Sequence, residues 1–597
     1  MSLLNTVESA EPKKIAVYVC HCGGNISDII DVKKVAQTLS QYPQVSIATE
    51  YAFMCSSNGQ DMVINDITNQ GVNRVVIAAC SPALHETTFR NALKRAGLNI
   101  YLYEHVNIRE QASWVHKQDK DGATHKAIAL IKAGVEKIIR QDALDEIKII
   151  ANQRVAIVGG GIAGMRAALS CARAGLKVSL FEKRSTLGGN LNRESLIYPT
   201  NQTAQSVVDQ LGSEVKNNPN IDLLLNAKIV SVNGFAGSFQ INFIDLDSKE
   251  QTIGSGVIIL ATGFDHYKPY EGEYAYKTSP FIVTLPDFTK ILDQSAQPKA
   301  LLYEGKTIKN IAFIHCVGSR QMDGVDTPLE GKNLNEYCSR VCCTSAIFTI
   351  NNLKIKYPNT GIFDIYSDMR TYGLEHESLY EKASKNDVLF IRRPLEERPQ
   401  IEQRPDGTFN VTSTDVLSWN EQIEANVDMV VLVTGMVPSD ISDLVDNMKL
   451  PRSTDGFLQE VHLKLRPVEL VNKGIYIAGT SQGPMDVIET LNAANTAGVK
   501  AVSLLSLPEI LMDPFIAVVD DDKCTGCGLC ISECSYDGAL TMTDKIVNGK
   551  TKKVAQVNGA LCVGCGACVA VCQPRAIQVA GWTLDQFEAM VDAIAKE

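Results

Sequence analysis

The feature that most restricts the fold of this chain is a four-cysteine spacing that occurs twice near its C-terminus. "CTGCGLCISEC" has the spacing C-x2-C-x2-C-x3-C, and "CVGCGACVAVC" repeats it. Loops this short let three thiolates wrap one face of a [4Fe–4S] cube, while the fourth cysteine of each run ligates the other cluster. A zinc site would not need two such runs. The spacing therefore predicts two [4Fe–4S] clusters, with the ligands Cys524, Cys527, Cys530, Cys534, Cys562, Cys565, Cys568 and Cys572.

This spacing is the one found in bacterial-type ferredoxins, and composition agrees with a redox role for the whole chain. The N-terminus "MSLLNTVESAEPKK" has no apolar signal core, and no apolar run approaches the ~20 residues of a spanning helix. We therefore expect a cytoplasmic protein without a transmembrane segment. In that compartment the 17 cysteines are better suited to metal or redox work than to disulfides. A net charge of −11 argues against nucleic acid as a partner.

A glycine-rich turn, "VAIVGGGIAG", follows a predicted strand and precedes a predicted helix. In this context the G-x-G-x-x-G pattern is typical of dinucleotide binding, because the glycines allow a tight turn, a close approach to a pyrophosphate and close helix–strand packing. Glu182 ends the next strand, where a carboxylate can accept a hydrogen bond from a ribose hydroxyl. "VIILATGF" and "GIYIAGTSQGP" resemble closing segments of two-dinucleotide flavoprotein reductases, in which the first fingerprint binds FAD. The predicted FAD residues are Gly159, Gly161, Ala163, Gly164, Glu182, Lys183, Gly188, Gly189, Thr262, Gly263, Gly479 and Asp486.

Such reductases carry a second glycine fingerprint for NAD(P)H, and this chain does not. The corresponding strand, "KNIAFIH", ends in "CVGSRQ", and the cysteine-rich stretch "YCSRVCCTSAIF" follows 22 residues after Cys316. On a helix, Cys338 and Cys342 would share a face, with Cys343 about 100° round. Cys316, Cys338, Cys342 and Cys343 are therefore predicted ligands of a third cluster. A redox-active dithiol and plain buried cysteines are the alternatives.

Four more cysteines, Cys20, Cys22, Cys55 and Cys80, each lie at or just past the end of a predicted parallel strand. Because the carboxyl ends of parallel strands share one sheet edge, these residues are predicted to converge on a fourth cluster. Buried or redox-exchange cysteines are the alternative. The nearby His21 and His85 are better explained as neighbours of such a site than as ligands. Cys171, the one cysteine left over, is predicted to lie in the core.

The elements alternate as in an α/β multidomain protein: an N-terminal parallel α/β cluster domain, a two-dinucleotide-binding FAD domain and a C-terminal bacterial-type ferredoxin domain. "THKAIALIKAGVEKIIRQDAL" is predicted to be a connecting helix, and "LDQFEAMVDAIAKE" a terminal amphipathic helix. The predicted boundaries are a flexible N-terminus at 1–13, a cluster domain at 14–145, an FAD-binding part at 152–300, a middle domain at 301–428, a return to the FAD domain at 429–510 and a ferredoxin domain at 511–597.

Taken together, "VCHCGGNI", "FMCSSNGQ", "VVIAACSPALHETTFR", "NIREQASWVH", the flavin fingerprint, "YCSRVCC", "AGTSQGPMD" and the ferredoxin runs resemble the A-type subunits of heterodisulfide reductase. The resemblance covers nearly the whole chain. It implies an iron–sulfur flavoprotein whose FAD domain is thioredoxin-reductase-like, with FAD and four [4Fe–4S] clusters, working with B- and C-type subunits. Ferredoxin and a hydrogenase, formate dehydrogenase or NADH-linked flavoprotein module are further implied candidates, as is a dimer within a larger complex.

This chain differs from the family pattern in two places, and each difference limits which functions the resemblance implies. Many members have a ferredoxin insert soon after the LGG segment, whereas "NRESLIYPTNQTAQSVVDQLG" contains no cysteine. Members that bifurcate electrons tend to have a lysine five places after the double cysteine, where this chain has Phe348. A lysine would favour an anionic reduced flavin and phenylalanine cannot, so bifurcation stays open.

Three functions remain open from the sequence. The first is an electron-transfer subunit of a heterodisulfide-reductase-like complex. The second is an NAD(P)H-linked flavin dithiol–disulfide reductase that uses Cys342 and Cys343. The third is a scaffold whose ferredoxin tail docks a partner. No acid–base or nucleophile constellation in the chain points to catalytic residues for disulfide reduction.

Overall fold

A computed structural model describes residues 12–198, 200–246, 249–295 and 300–595. Of the segment 1–13 that we predict to be flexible, residues 1–11 lie outside the described residues. The chain divides into two compact units: residues up to Ile149 together with residues from Leu511 form one, and Ile150–Ile510 forms the other. Within the described residues, no helix is both long and apolar enough to cross a membrane.

The N-terminal part of the first unit is a four-stranded parallel sheet covered by helices. The runs "IAVYVC" and "RVVIAA" form its central strands, which are almost entirely buried, as expected of parallel strands covered on both faces. The strand order is β2-β1-β3-β4. The elements are β1 (Ile15–Cys20), α1 (Val32–Leu39), β2 (Val45–Tyr51), α2 (Ser57–Gln70), β3 (Arg74–Ala79), α3 (Pro82–Arg95), β4 (Tyr103–Asn107) and α4 (Lys120–Ile139).

Helix α4 is the helix that the sequence predicts as a connector, and it belongs to this core. Ala127, Ile131 and Val135 on its apolar face are buried in one cluster with Val76 of β3 and Val106 of β4. Its sequence repeats apolar residues at helical spacing, which indicates a buried face but not the surface that covers it. The helix therefore closes one side of the sheet.

The second unit begins with a five-stranded parallel sheet in the order β10-β7-β6-β14-β27. A three-stranded antiparallel sheet, β11-β12-β13, lies between its third and fourth strands in the chain. The elements from residue 147 to residue 266 are β5 (Ile147–Ile150), β6 (Arg154–Val158), α5 (Ile162–Arg173), β7 (Lys177–Glu182), β8 (Leu196–Ile197), β9 (Gln202–Thr203), α6 (Ala204–Lys216), β10 (Ile221–Leu225), β11 (Lys228–Phe235), β12 (Ser238–Ile244), β13 (Glu250–Ser255), β14 (Val257–Leu260) and β15 (Phe264–His266).

A second five-stranded parallel sheet follows, in the order β16-β25-β19-β20-β21. Its elements are β16 (Ile282–Thr284), α7 (Leu285–Gln294), β17 (Leu301–Tyr303), β18 (Lys306–Ile308), β19 (Asn310–Val317), α8 (Cys342–Lys356), β20 (Gly361–Tyr366), α9 (His376–Lys385), β21 (Val388–Arg392), β22 (Gln400–Gln403), β23 (Phe409–Asp415), β24 (Glu421–Val427) and β25 (Met429–Thr434). The chain then passes through β26 (Met436–Pro438), α10 (Ser442–Met448), β27 (Ile475–Ile477), α11 (Val487–Leu504) and β28 (Glu509–Met512).

The strand pairing differs from the predicted return to the FAD domain at residue 429. Strand β25 pairs with β19 and β16 in the second sheet, and only β27 joins the first sheet, beside β14. Strand β16 also lies before the predicted start of the middle domain. All these strands are apolar and short, so their composition does not distinguish the sheet to which each belongs.

The C-terminal part of the first unit contains the two cysteine runs, joined by an antiparallel hairpin. Its elements are β29 (Ala517–Val519), α12 (Leu529–Ser532), β30 (Leu540–Val547), β31 (Lys550–Val557), α13 (Ala567–Ala570), β32 (Ile577–Val579) and α14 (Leu584–Ala595). The predicted terminal helix is present as α14, and it packs against α4. Buried Gln586 of α14 donates to Gln141 at 2.8 Å, and Lys137 of α4 lies 3.2 Å from the centre of the Trp582 ring.

Candidate functional site

A cavity of about 1080 Å³ lies in the second unit at the end of strand β6. Ten of the twelve predicted FAD residues line it: Gly159, Gly161, Ala163, Glu182, Lys183, Gly188, Gly189, Thr262, Gly263 and Asp486. Gly164 and Gly479 lie just outside it and pack against its walls. A Cβ on Gly164 would lie 1.7 Å from the carbonyl oxygen of Gly159, and one on Gly479 would lie 2.8 Å from Cβ of Ala163.

The glycine turn leaves open space where a pyrophosphate would approach the backbone. Gly159 has a φ of +114°, and a Cβ there would lie 2.2 Å from the carbonyl oxygen of Ala261, so only glycine fits. Gly161 caps helix α5, and a Cβ on it would meet only the Cα of Gly189, at 3.9 Å. The start of α5 therefore faces open space, with its free amides and positive dipole end available to an anion.

Glu182 lies at the end of β7 and marks one end of the cavity. Its carboxylate accepts hydrogen bonds from the amides of Gly160 at 2.6 Å and Arg184 at 2.8 Å, which fix its orientation. Lys183 and Arg184 line the cavity beside it. A fixed carboxylate at the end of the neighbouring strand, next to the glycine turn, fits the ribose of a dinucleotide.

The other end of the cavity is formed by the start of helix α11 and by helix α8. Asp486 caps α11 in a capping box, accepting from the amide of Glu489 at 2.7 Å. The Asp486 side chain lies on the cavity wall. Cys342 and Phe348 of α8 line the same end. Because the adenosine end of a dinucleotide belongs at Glu182, the flavin ring would lie at this far end.

Four strands of the second sheet have the same relative order as four strands of the first, with β19 in the position of β6. Counted from the leading strand, β6 in the first sheet and β19 in the second, four adjacent strands of each sheet lie in the order third, second, first and fourth. The remaining edge strand is β27, which comes last in the chain, in the first sheet, and β16, which precedes β19, in the second. Ligands bind at the switch point beside such a leading strand. Strand β6 ends there in Gly159, whereas Cys316 lies at the end of β19 with a φ of +64°.

The four cysteines predicted for the middle site converge at this switch point. Cys316, Cys342 and Cys343 are buried and Cys338 is half-buried. Burial raises the pKa of the Cys316 thiol, and the neighbouring Cys343 raises it further. Cys342 is affected by both Cys316 and Cys338, and its pKa is raised by its hydrogen bond with Cys343 and by burial. The pKa of Cys343 is held low by its neighbours Cys342 and His315.

The predicted helical placement of Cys338 is wrong. Helix α8 begins at Cys342, and Cys338 lies in the preceding loop, so the two do not share a helix face. Arg340, between them, has a φ of +58°, which breaks helical geometry. The amide of Arg340 donates to Sγ of Cys338 at 3.3 Å. Cys338 thus approaches the other three thiols from the loop.

The four N-terminal cysteines lie together at the carboxyl edge of the first unit's parallel sheet. Cys20 ends β1, Cys22 begins a single helical turn, Cys55 follows β2 and Cys80 follows β3. Burial raises the pKa of Cys80 to about 12, with Cys22 and Cys20 adding to the shift. Cys55 is likewise affected by Cys22. A thiolate at Cys80 would therefore need iron to stabilise it.

Other groups around the N-terminal cysteines hold them in place without competing as ligands. The amide of Met54 donates to Sγ of Cys20 at 3.5 Å, and Arg109 Nη1 donates to Sγ of Cys22 at 3.4 Å. His21 is paired with Glu50. Burial and the charge of Arg109 lower the pKa of His85. These contacts agree with His21 and His85 being neighbours of the site.

The C-terminal cysteines are arranged across the two runs. One small pocket is lined by Cys524, Cys527 and Cys530 of the first run and by Cys572, the fourth of the second. Cys534, the fourth of the first run, packs in one cluster with Cys562 and Cys568 of the second, and Cys530 and Cys572 border the same cluster. The exchange of fourth cysteines is the arrangement that the duplicated spacing predicts for two clusters.

In the described parts of the chain, no three His, Cys, Asp or Glu side chains converge closely enough to hold a single metal ion. A [4Fe–4S] cube binds each thiolate to a different iron, so its ligands stand farther apart than those of one ion.

Sequence reasoning missed several residues beside the middle site. His315 and Asp364 are single polar residues inside the apolar strands "IAFIHCV" and "GIFDIY", and both are fully buried. Arg393 follows β21 and is 2% exposed. A lone ionisable residue in a buried strand is a readable signal for the first two, whereas the burial of Arg393 depends on tertiary packing.

Comparisons with known proteins bear on both kinds of cofactor. A profile of the pyridine nucleotide-disulphide oxidoreductase family matches residues 153–314, and a profile of the 4Fe-4S dicluster domain matches residues 523–576. Among solved structures, a thioredoxin reductase from T. acidophilum is 18% identical, covers 60% of this chain and 99% of its own, and has a TM-score of 0.40. The two profile matches confirm the predicted fold class, with FAD and [4Fe–4S] clusters as cofactors.

Two curated relatives match nearly the whole chain. One, from Methanopyrus kandleri, is named as iron-sulfur A-subunit 2 of CoB--CoM heterodisulfide reductase; it is 32% identical over 90% of this chain and 92% of its own length. The other, from Methanothermobacter marburgensis, is named as the A-subunit of H(2):CoB-CoM heterodisulfide,ferredoxin reductase; it is 33% identical over 91% of this chain and 92% of its own. The chain therefore belongs to the A-subunit family of heterodisulfide reductases, the flavin- and iron–sulfur-containing electron-transfer subunits of that oxidoreductase.

Proposed function

We propose that this chain passes electrons between FAD in the large cavity and four [4Fe–4S] clusters, and exchanges them with B- and C-type partner subunits. The observation that carries the proposal is the position of Cys342. It lines the cavity that holds the dinucleotide fingerprint, and it also belongs to the four-cysteine group at the second switch point. FAD, when bound, can exchange electrons with one-electron centres such as clusters.

The second switch point supports a cluster in place of a nicotinamide. A nicotinamide dinucleotide would need backbone amides open to its pyrophosphate, and the turn after β19 presents the buried thiol of Cys316 instead. At Gly318 a Cβ would lie 2.0 Å from the Tyr267 ring, so a side chain already packs against this turn. Electrons would then reach the flavin through iron and sulfur.

Flavin-based bifurcation is not part of the function we propose. Phe348 lines the cavity near Cys342, and its ring lies 5.9 Å from that of Tyr198. An apolar ring at this position offers no hydrogen bond to a reduced flavin. Lys356, two helical turns further along α8, lines the cavity but donates to the carbonyl oxygen of Leu292 at 2.8 Å.

The partners follow from the relatives. Their names include a heterodisulfide, ferredoxin and H2. We propose B- and C-like subunits and ferredoxin as partners of this chain, with a hydrogenase, formate dehydrogenase or NADH-linked flavoprotein as the source of electrons. Dimerisation and a cytoplasmic location remain predictions.

A dithiol–disulfide reductase is the second candidate, because Cys342 and Cys343 share a hydrogen bond and the pKa of Cys343 is held low. Anaerobic addition of electron donors to the full-length protein separates the two. Our proposal expects reduced ferredoxin to bleach both flavin and cluster absorption, and NADH or NADPH to leave the flavin oxidised. Rapid bleaching of the flavin by either nicotinamide would favour the reductase.

A scaffold role is tested by breaking the flavin site. The Gly161→Trp variant would fill the open space at the start of α5. We expect this variant to assemble with its partners but to lose turnover of the complex. Normal turnover in the assembled complex would show that the chain only docks its partners.

A further inference from the structure

Arg393 is a buried cation for which no described residue supplies a counter-charge. Its side chain is 2% exposed and donates to four backbone carbonyl oxygens: those of Pro394 (3.0 Å), Leu395 (3.2 Å), Glu397 (2.8 Å) and His315 (3.4 Å). No carboxylate oxygen is among these partners, and Nε makes no hydrogen bond within the described parts.

Such a group is costly unless an anion lies nearby. An isolated buried charge is strongly disfavoured, and arginine does not escape by losing its proton. Burial lowers the pKa of Arg393, which reflects this cost. The nearby carboxylate of Asp326 is already engaged by Arg398, whose Nε donates to it at 2.9 Å. The missing anion therefore has to come from elsewhere.

A buried pair of ionisable residues, His315 and Asp364, lies beside Arg393. His315 and Asp364, on the adjacent strands β19 and β20, are both fully buried, and Nε2 of His315 lies 2.8 Å from Oδ1 of Asp364. His315 Nδ1 makes none of the hydrogen bonds found among the described residues. The imidazole nevertheless lies close enough to Cys343 to lower the pKa of that thiol. Asp364 thus fixes one nitrogen and leaves the other facing the cysteines.

His315 and Arg393 lie on the same side of the middle cysteine site, next to Cys316. His315 immediately precedes Cys316 in β19, and Arg393 donates to the His315 carbonyl. The guanidinium of Arg393 therefore contacts the residue next to Cys316. A cluster with four thiolates is an anion, and its reduced form carries one more negative charge. Fixed cations therefore stabilise the reduced form.

We propose that Arg393 is the built-in counter-charge of a cluster held by Cys316, Cys338, Cys342 and Cys343, that the His315–Asp364 pair, which has no net charge, turns its imidazole end toward that cluster, and that both raise its reduction potential above those of the other clusters in the chain. This inference rests on the proposed function, since it requires that cluster. The three residues are positioning residues that act through the cluster's surroundings. The effect makes this cluster the favoured resting place for an electron leaving the flavin.

The other cysteine sites lack a comparable shell among the described residues. At the N-terminal site Arg109 donates to Sγ of Cys22 at 3.4 Å, but its charge is offset by Glu110 at 2.6 Å and its side chain is 15% exposed. Cys530 and Cys568 of the C-terminal runs are affected by other cysteines and by burial, with no cation among the main influences on either. Paired or distant cations raise a potential less than an unpaired buried one.

The test is a redox titration of the full-length protein, followed by electron paramagnetic resonance. The signal of this cluster is the one that Cys338→Ser removes. In Arg393→Met we expect that signal to be retained with a lower midpoint potential. The oxidised-to-reduced ratio at a fixed potential should rise at least tenfold, which is about 59 mV for a one-electron couple. Arg393→Lys should restore most of the difference.

Arg392→Met is the matched control, because Arg392 is the sequence neighbour but is 45% exposed and paired with Asp368. It should leave the midpoint unchanged. If Arg393→Met does not fold, Arg393→Gln, which removes the charge but keeps hydrogen-bond donors, reports in the same titration and should also lower the midpoint. An unchanged midpoint in a folded variant overturns this inference alone. Absence of any signal that depends on Cys338 in the wild-type protein overturns the proposed function itself.

Discussion

The two five-stranded sheets of the second unit share the order of four strands, and the corresponding strands β6 and β19 end in different chemistry. Strand β6 ends in a glycine turn that opens directly onto helix α5 and the cavity. Strand β19 ends in Cys316, and its helix α8 begins only after a loop of about two dozen residues that carries Cys338. Helix α8 then starts with Cys342 and Cys343.

The difference shows how equivalent switch points in two similar sheets can bind two kinds of ligand. A pyrophosphate is held by backbone amides, so the first site needs residues without side chains. A cluster is held by thiolates, so the second site replaces glycines with cysteines and adds a loop long enough to supply a fourth ligand. The buried cations behind β19 then replace the helix dipole as the source of positive charge.

The largest effect is expected from Gly161→Val, which tests FAD binding at the glycine turn after β6. The added side chain meets little protein but fills the space of the pyrophosphate. We expect FAD to bind more than about tenfold more weakly, which corresponds to at least about 1.4 kcal/mol. The measurement is FAD content after purification together with a binding titration.

The control is Gly212→Ala in α6, where a Cβ would meet only the Leu187 side chain, at 3.8 Å. It should retain FAD and keep or slightly raise the melting temperature, since alanine is the better helix former. Full retention of FAD in Gly161→Val would contradict the assignment of the fingerprint.

The next variant, Cys342→Ser, tests the cluster at the end of β19. Removing one ligand of the middle site should lower the iron content by about four atoms per chain, while FAD stays bound. Iron analysis and visible absorption measure both quantities on one sample. Cys171→Ser is the control: this cysteine is buried in α5, where burial raises its pKa to about 12, and its loss should not change the iron content. An unchanged iron content in Cys342→Ser would mean that the middle site holds no cluster.

Phe348→Lys brings a charge to the place where the two sites meet. Phe348 is 8% exposed, so an unpaired ammonium there should lower the free energy of unfolding by about 1–3 kcal/mol. A cation near the flavin should also raise the flavin's midpoint potential, because it favours the anionic reduced form. Phe348→Leu should change neither strongly. An unaltered flavin potential in Phe348→Lys would place the flavin ring away from α8.

The smallest expected effect comes from the link between the cysteine loop and helix α11. Arg340 pairs with Glu489 at 2.6 Å, but the two side chains are 43% and 35% exposed. Exposed pairs are worth little, so Arg340→Gln should lower the free energy of unfolding by less than about 1 kcal/mol. Thermal unfolding measures it. A loss of several kcal/mol would show that this loop is held mainly by Arg340.

The parts of this fold that the sequence predicts well are those with local signals. The glycine turn, the duplicated cysteine spacing and the buried strands β1 and β3 each follow from adjacent residues. The sequence places strand β25 in the wrong sheet because parallel pairing joins residues far apart in the chain. It places Cys338 on a helix because one positive φ, at Arg340, does not show in composition. The counter-charge at Arg393 depends on packing between distant segments.

The central claim is that the middle cysteine site at the end of β19 and the N-terminal cysteine site, neither of which has a glycine fingerprint, each hold a [4Fe–4S] cluster. Iron and acid-labile sulfide per FAD in the anaerobically purified full-length protein test it most directly. Four [4Fe–4S] clusters predict about 16 irons and about 16 sulfides per FAD. About 8 of each would mean that only the two C-terminal runs bind clusters, and would contradict the account of both remaining cysteine sites.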